Sequence, residues 1–263
     1  MLAVLRGVLT VWRTSAVIML IGLFLLGALG VGFFPVSPRR RRSLKQQILS
    51  NLSRLGLKVL GVKIDLIGRE TPTDRGYLIV ANHLSYLDIL VIASLHQTAF
   101  VTSVEIRDTF GLGHLAKVAG CLFVERRSRE NLNSEVEDLA RCLESGENVT
   151  VFPEATSTNG DGVLPFKRAM FRSVEGKSIP VLPLALRYST RRGMPLDQRS
   201  RDAIHWYGNM SFMPHLWRLC SLGQVFVRIE VLESLNINRP MCRRELAEHA
   251  YRVIAGAYAS GAT

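Results

Sequence analysis

The stretch Tyr77–Ile92, YLIVANHLSYLDILVI, decides the fold, because an apolar β-branched run passes across a short polar break into a second run with helical spacing. A strand that gives way directly to a helix is the opening half of a β-α-β unit. The alternation continues outward from it. Short apolar runs recur at Val62–Gly68, Ala99–Thr102, Cys121–Val124, Asn148–Phe152, Pro180–Tyr188 and Val225–Leu232. Helical patterns separate several of them, at Tyr86–Leu95, Ser134–Gly146 and Arg243–Tyr258. The segment 191–222 has no clear period and reads as loop with short helices. These patterns predict a single α/β domain with a largely parallel or mixed sheet flanked by helices. The 263 residues suffice for one such core and are too few for two full-size domains plus a membrane segment.

The net charge of +11 resembles a nucleic-acid signature until its distribution is read. Residues 1–42 hold six arginines (Arg6, Arg13, Arg39, Arg40, Arg41, Arg42) and no acid, so more than half of the excess flanks one apolar segment. That segment, Thr14–Phe34, has 21 residues without a charge, and about 20 apolar residues cross a bilayer as a helix. A cleaved signal peptide is the rival reading, since Ala28 and Gly30 form a small-x-small pair. Four consecutive arginines just beyond Phe34 argue for retention on the cytoplasmic side. Five glycines between positions 7 and 32 keep a re-entrant or interfacial placement open. The next stretch, from Ser43, reads as an amphipathic helix with Leu44, Ile48, Leu52 and Leu55 on one stripe, either interfacial or core. The expected division is therefore 1–42 as membrane anchor with its Arg-rich flank, 43–60 as interfacial helix and 61–263 as the globular domain. With the charge assigned to a membrane flank, nucleic acid drops out as a partner. Cys121, Cys142, Cys220 and Cys242 form no C-x-x-C pair and have no histidine at ligand spacing, so neither a disulfide framework nor a zinc site is indicated.

In sheets of this kind ligands gather at the carboxyl ends of strands, and two such ends carry chemistry. After YLIVAN come His83, Ser85 and Asp88. Ser85 and Asp88 have the spacing of a capping box, which would make His83 merely a loop residue. The same spacing also lets Asp88 hold one imidazole nitrogen and leave the other free to take a proton. After NVTV comes FPEATS, where Glu154 serves as a turn cap or as a group aimed at a ligand.

NHLSYLD, Asn82–Asp88, resembles the N-H-x-x-x-x-D block of the glycerolipid acyltransferases, the family that includes 1-acylglycerol-3-phosphate acyltransferase. Other blocks follow in the family's order: GCLFVER at Gly120–Arg126, FPEATS at Phe152–Ser157 and IPVLP at Ile179–Pro183. Four ordered blocks are far more specific than one. The resemblance implies transfer of a fatty acyl chain from a thioester to a lysolipid hydroxyl, with His83 as general base and Asp88 as its partner. It implies Asn82, Ser85, Arg126, Glu154, Thr156 and Lys167 as substrate-binding residues, no metal, and no cofactor beyond acyl-CoA or acyl carrier protein as co-substrate. The implied partners are membrane lipids, the lysolipid acceptor and the acyl donor. The implied location is a membrane, the inner one in a bacterium, with one N-terminal anchor and a cytoplasmic domain. Backbone amides around the helix start after His83 are candidate oxyanion donors.

The third block departs from the family pattern: Ala155 and Ser157 stand where the family has Gly and Arg. A hydroxyl supplies neither the charge nor the bidentate geometry of an Arg fork. Arg126, Lys167 and Arg168 remain as cations for a phosphate. The leading expectation is acylation of 1-acylglycerol 3-phosphate to phosphatidic acid. The alternative is an acceptor without a phosphomonoester, such as a lyso-ornithine lipid, or a lysophospholipid with a larger head group. A non-catalytic lipid-binding protein on the same fold is the third reading.

Overall fold

The computed structural model describes residues 2–68, 76–109, 111–124, 129–190, 194, 196–236 and 240–260. All seven expected strands form, and they join in one sheet of order β1-β7-β6-β2-β5-β3-β4. The strands are β1 (Val62–Ile67), β2 (Leu78–Ala81), β3 (Thr98–Ser103), β4 (Leu122–Val124), β5 (Asn148–Val151), β6 (Val181–Ser189) and β7 (Val225–Val231). Every pairing is parallel except β6 with β7. The sheet is therefore mixed.

Helices cover both faces. On one face lie α3 (Leu87–Leu95) and α8 (Phe212–Cys220), together with α2 (Pro38–Leu60). On the other lie α6 (Arg129–Glu144) and α9 (Arg243–Ser260). Along β6 the period of two sends Leu182, Leu184, Leu186 and Tyr188 into the first layer and Val181 and Ala185 into the second. Helices α4 (Val104–Arg107) and α5 (Leu112–Ala119) precede β4, and α7 (Gln198–Ile204) precedes α8, within the segment read as loop with short helices.

Helix α1 (Leu2–Gly30) begins well before the uncharged segment, and a 3-10 turn, Val31–Phe33, ends it. Residues Val4–Phe33 are long and apolar enough to cross a membrane. One stripe, including Thr10, Arg13, Val17, Leu20, Phe24 and Ala28, is buried. It packs on α2 and α8. The opposite stripe, with Val8, Trp12, Met19, Leu26 and Phe33, is exposed. Arg13, a charge inside this helix, is accommodated by the domain. Its guanidinium donates to the carbonyls of Leu222 and of Gly223 (3.1 Å), at the C-terminal end of α8. A cation there complements the helix dipole.

Helix α2 starts at Pro38, so the arginine run occupies its first turn rather than a flank ahead of it. Ser37 caps it by accepting from the Arg40 amide at 3.3 Å. Gly61 ends it at φ +72°, where a Cβ would also meet the Gly223 carbonyl at 2.8 Å. Arg42 forms a bidentate pair with Glu147, at 3.0 and 3.1 Å, so part of the basic cluster is tied to the domain. The leucine stripe expected on this helix is not its buried face: Leu55 is exposed, and the buried stripe is Gln46, Ser50, Ser53, Gly56, Leu57 and Leu60. Small residues let α1 and α3 approach α2 closely; the side chain of Leu20 lies against Gly56.

Candidate active site

Strand β2 ends at Ala81, and the next residues turn across the end of the sheet before α3 begins. Asp88, in the first turn of α3, is fully buried and accepts four hydrogen bonds. Its Oδ2 takes His83 Nδ1 (2.9 Å), the Leu84 amide (2.7 Å) and the Ser85 amide (2.9 Å); its Oδ1 takes the Tyr188 hydroxyl (2.7 Å). Capping and pairing with histidine, set against each other on spacing alone, thus coexist on one oxygen. A carboxylate only accepts, so the Nδ1 facing it carries the proton and Nε2 presents a lone pair. Burial, followed by the charge and hydrogen bond of Asp88, pushes the Tyr188 phenol well above its ordinary range, which keeps it a donor. The imidazole ring stacks on Phe152 with centroids 4.1 Å apart, and the His83 side chain keeps 20% exposure. Its orientation is therefore fixed from two directions while one edge stays open.

Glu154 sits at the end of β5 and is buried. Its Oε1 accepts the His83 amide and its Oε2 the Leu164 amide, each at 2.7 Å. Thr158 returns an amide to the His83 carbonyl at 3.0 Å. The loop after β5 is thus clipped to the histidine's backbone on both sides. Burial raises the Glu154 carboxyl to about 7, against the opposing pull of the Leu164 and His83 amides.

The remaining sequence candidates fall into different places. Asn82 is buried, and its amide donates to the Leu186 carbonyl (3.0 Å) and accepts from the Leu186 amide (2.8 Å). It joins β2 to β6 and is shielded from solvent. Ser85 is buried as well, and its hydroxyl has no partner among the described residues. The hydroxyl half of the capping box is therefore absent. Thr156 and Lys167 are exposed near the clip, with the Lys167 amide donating to the Pro153 carbonyl at 2.8 Å. Arg168 is paired with Glu248 on α9 at 3.2 Å. Arg126 lies outside the described residues. Among the backbone amides near the helix start, those of Leu84 and Ser85 are committed to Asp88 and that of His83 to Glu154. Among the described residues no cluster of three or more His, Cys, Asp or Glu is arranged to hold a metal.

Ser157, in place of the family's Arg, donates its hydroxyl to the Trp206 carbonyl, while the Trp206 amide donates to the Leu84 carbonyl at 2.9 Å. The segment between α7 and α8 is thereby stitched to both loops of the site. Ala155, in place of Gly, adopts φ +66°. A Cβ in this left-handed region costs about 1–2 kcal/mol, whereas glycine's extra freedom in the unfolded chain costs about 0.4–1 kcal/mol. Ala155→Gly is expected to stabilise the protein by about 0.5–1 kcal/mol, raising its thermal midpoint by about 1–4 °C. A scanning-fluorimetry midpoint at or below that of the parent would contradict this account of the turn.

Tyr188, Phe152 and Trp206 were not among the site residues legible in the sequence. For Tyr188 a signal existed: it lies an even number of positions from Leu184 and Leu186, and so shares their face of β6.

The Acyltransferase family profile matches residues 63–187. The 1-acyl-sn-glycerol-3-phosphate acyltransferase of Neisseria meningitidis is 32% identical over 187 residues, covering 71% of each chain. The lyso-ornithine lipid O-acyltransferase of Rhizobium meliloti is 30% identical over 202 residues, 74% of this chain and 68% of that one. The crystal structure of the 1-acyl-sn-glycerophosphate acyltransferase PlsC from Thermotoga maritima superposes with a TM-score of 0.69 at 22% identity, over 99% of this chain and 97% of that one. Fold, ordered blocks and relatives agree, and the chain belongs to the glycerolipid acyltransferase family.

Proposed function

We propose that this acyltransferase moves a fatty acyl group from an acyl thioester to the free hydroxyl of 1-acyl-sn-glycerol 3-phosphate, giving phosphatidic acid. The observation that carries the reading is the His83–Asp88 pair, with Nδ1 held at 2.9 Å and Nε2 left open. His83 Nε2 takes the hydroxyl proton as the oxygen attacks the thioester carbonyl. The ionised Asp88 stabilises the imidazolium that results. Collapse of the tetrahedral intermediate breaks the C–S bond, and the imidazolium returns its proton to the departing thiolate. The base needs no acyl-enzyme, and the chemistry calls for no cofactor beyond the thioester. Glu154 serves by fixing the backbone at His83, and Lys167 supplies a cation beside the same loop.

The outer stripe of α1 is a large exposed apolar surface, and Trp217 and Met213 of α8 are exposed as well. It seats the domain on a membrane, where the acceptor resides, with the sheet on the cytoplasmic side. The opposite stripe of the helix and Arg13 stay with the domain, which favours a placement alongside one leaflet over an isolated span.

One observation favours a second acceptor, a lyso-ornithine lipid: the Ser157 hydroxyl is spent on the Trp206 carbonyl, so no cation stands where the family's Arg would read a phosphate. Acyl transfer from labelled palmitoyl-CoA by the detergent-purified protein, with lysophosphatidate, lysophosphatidylcholine and lyso-ornithine lipid offered in parallel, separates these readings. The expected result is the highest kcat/KM with lysophosphatidate. Turnover of lyso-ornithine lipid with none of lysophosphatidate would transfer the assignment to the second acceptor.

A further inference from the structure

Behind the dyad lies a cavity of about 590 Å³ that none of the four sequence blocks accounts for. Its size is that of a site for a substantial small molecule, for which ~300–1,000 Å³ is usual. It is lined by α9, by the far ends of β6 and β7, and by the loop around Gly160. Tyr188, whose hydroxyl holds Asp88 at 2.7 Å, forms part of its wall. The cavity and the dyad therefore meet at this residue.

Its chemistry is specific. Three arginines face it, Arg187, Arg201 and Arg228. Arg228 is paired with Asp65 at 3.5 Å and Arg201 with Asp161, so two of the three charges are already balanced. Arg187 is half-buried and has no carboxylate within ion-pair distance among the described residues; Glu230 acts on it only through space. Instead its guanidinium lies over the Tyr258 ring, 4.7 Å from the centroid. Tyr258 is anchored in turn, its hydroxyl donating to the Gly160 carbonyl at 2.7 Å. Gly160, at φ +85°, has no room for a Cβ, which would come 2.4 Å from the His205 ring. His205 also lines the cavity; its Nδ1 faces the Asn159 carbonyl at 2.7 Å, and its buried Nε2 has no partner among the described residues. Burial lowers this histidine's pKa. Phe226 and Tyr251 add apolar ring surface.

The location indicates which substrate would enter. Phe226, Arg187 and Arg228 point to the α9 side of the sheet, whereas the apolar stripe of α1 lies beyond the opposite helical layer. A lipid acceptor arrives from the α1 side; the water-soluble part of the donor arrives from the other. Resting on the acyltransfer reading above, we infer that this cavity binds the phosphorylated adenosine end of an acyl-coenzyme A donor. Arg187 takes a phosphate, and the rings of Phe226 and Tyr251 contact the purine. The extended pantetheine arm then carries the thioester round Tyr188 to His83.

Equilibrium dialysis of radiolabelled adenosine 3′,5′-bisphosphate against the full chain in detergent tests the cavity without requiring turnover. Saturable binding is expected, weakened about 10- to 100-fold by Arg187→Gln, the loss of one charge-assisted contact. In the transfer assay the nucleotide should compete with palmitoyl-CoA and not with the lysolipid. Arg187→Gln should raise the donor KM by a similar factor, leaving the acceptor KM in place. Should the variant misfold, binding and competition with the parent protein still decide. Transfer without nucleotide binding overturns the inference and spares the function, as does competition against the acceptor or inhibition by glycerol 3-phosphate instead. Nucleotide binding without transfer to any lysolipid overturns the function and leaves the cavity assignment standing.

Discussion

Replacement of His83 by alanine is expected to lower kcat by about 10²–10⁴-fold, the usual contribution of a positioned general base. The fold should survive, because the backbone contacts of residue 83, to Glu154 and Thr158, do not involve its ring. Asp88→Asn should cost less than a simple reading of the pair suggests. Three donors converge on Oδ2, from His83 Nδ1, Leu84 and Ser85, so the asparagine must place its carbonyl oxygen there. Its amino group then faces Tyr188, whose hydroxyl can turn from donor to acceptor. The tautomer of His83 is preserved, and what is lost is the negative charge opposite the imidazolium, worth about 10- to 100-fold in kcat. The double variant should be no slower than His83→Ala alone, because residues acting as one unit are not additive. A further loss in the double variant, measured under saturating donor and acceptor with matched circular dichroism, would mean that Asp88 works through the helix start rather than through the histidine.

The parts of the molecule that sequence made legible are those where periodicity carries the information. Each strand announced itself as a short apolar run, and the segment beginning at Tyr77 gave both the strand and the chemically loaded turn beyond it. Information carried by size or by distant contact was hidden. Helix α2 buries Ser50, Ser53 and Gly56, a stripe of small side chains that a search for apolar spacing passes over in favour of Leu44, Ile48, Leu52 and Leu55. Arg13 looked like the boundary of an apolar helix, yet its charge is satisfied by carbonyls more than 200 positions away in the chain. Asn82 sits inside the most specific block, which invites a substrate-binding role, but its amide is buried and bonded to Leu186. A motif records that a residue type is required at a position, and the reason can be the sheet beneath the site as readily as the ligand above it. The substitutions at Ala155 and Ser157 were visible as departures from the family pattern. Their consequences, a left-handed backbone at one and a hydroxyl turned to Trp206 at the other, needed coordinates.

Removal of the Glu154 side chain should be among the most destabilising single changes in the site, and its cost should depend on pH in a defined direction. Glu154→Ala strands two buried amides, those of His83 and Leu164. Each unmade bond costs about 1–3 kcal/mol, so about 2–6 kcal/mol is expected at pH 5. The folded carboxyl titrates near 7 because burial outweighs the two amides, whereas 4.5 is the ordinary value for the unfolded chain. The folded state therefore holds the proton more tightly. Its contribution to stability is complete below pH 4.5 and is lost as pH rises through 7. The interval corresponds to about 3 kcal/mol at 1.36 kcal/mol per unit. The gap between parent and Glu154→Ala should accordingly shrink by about that amount between pH 5 and pH 8. Denaturant unfolding followed by tryptophan fluorescence at the two pH values measures it. Glu154→Gln, which cannot titrate, should lack this part of the parent's decline with pH. A gap that stays constant or widens toward pH 8 would show that the buried carboxyl is already ionised in the folded protein at pH 5, and that the two amides, not the surrounding apolar core, govern its proton.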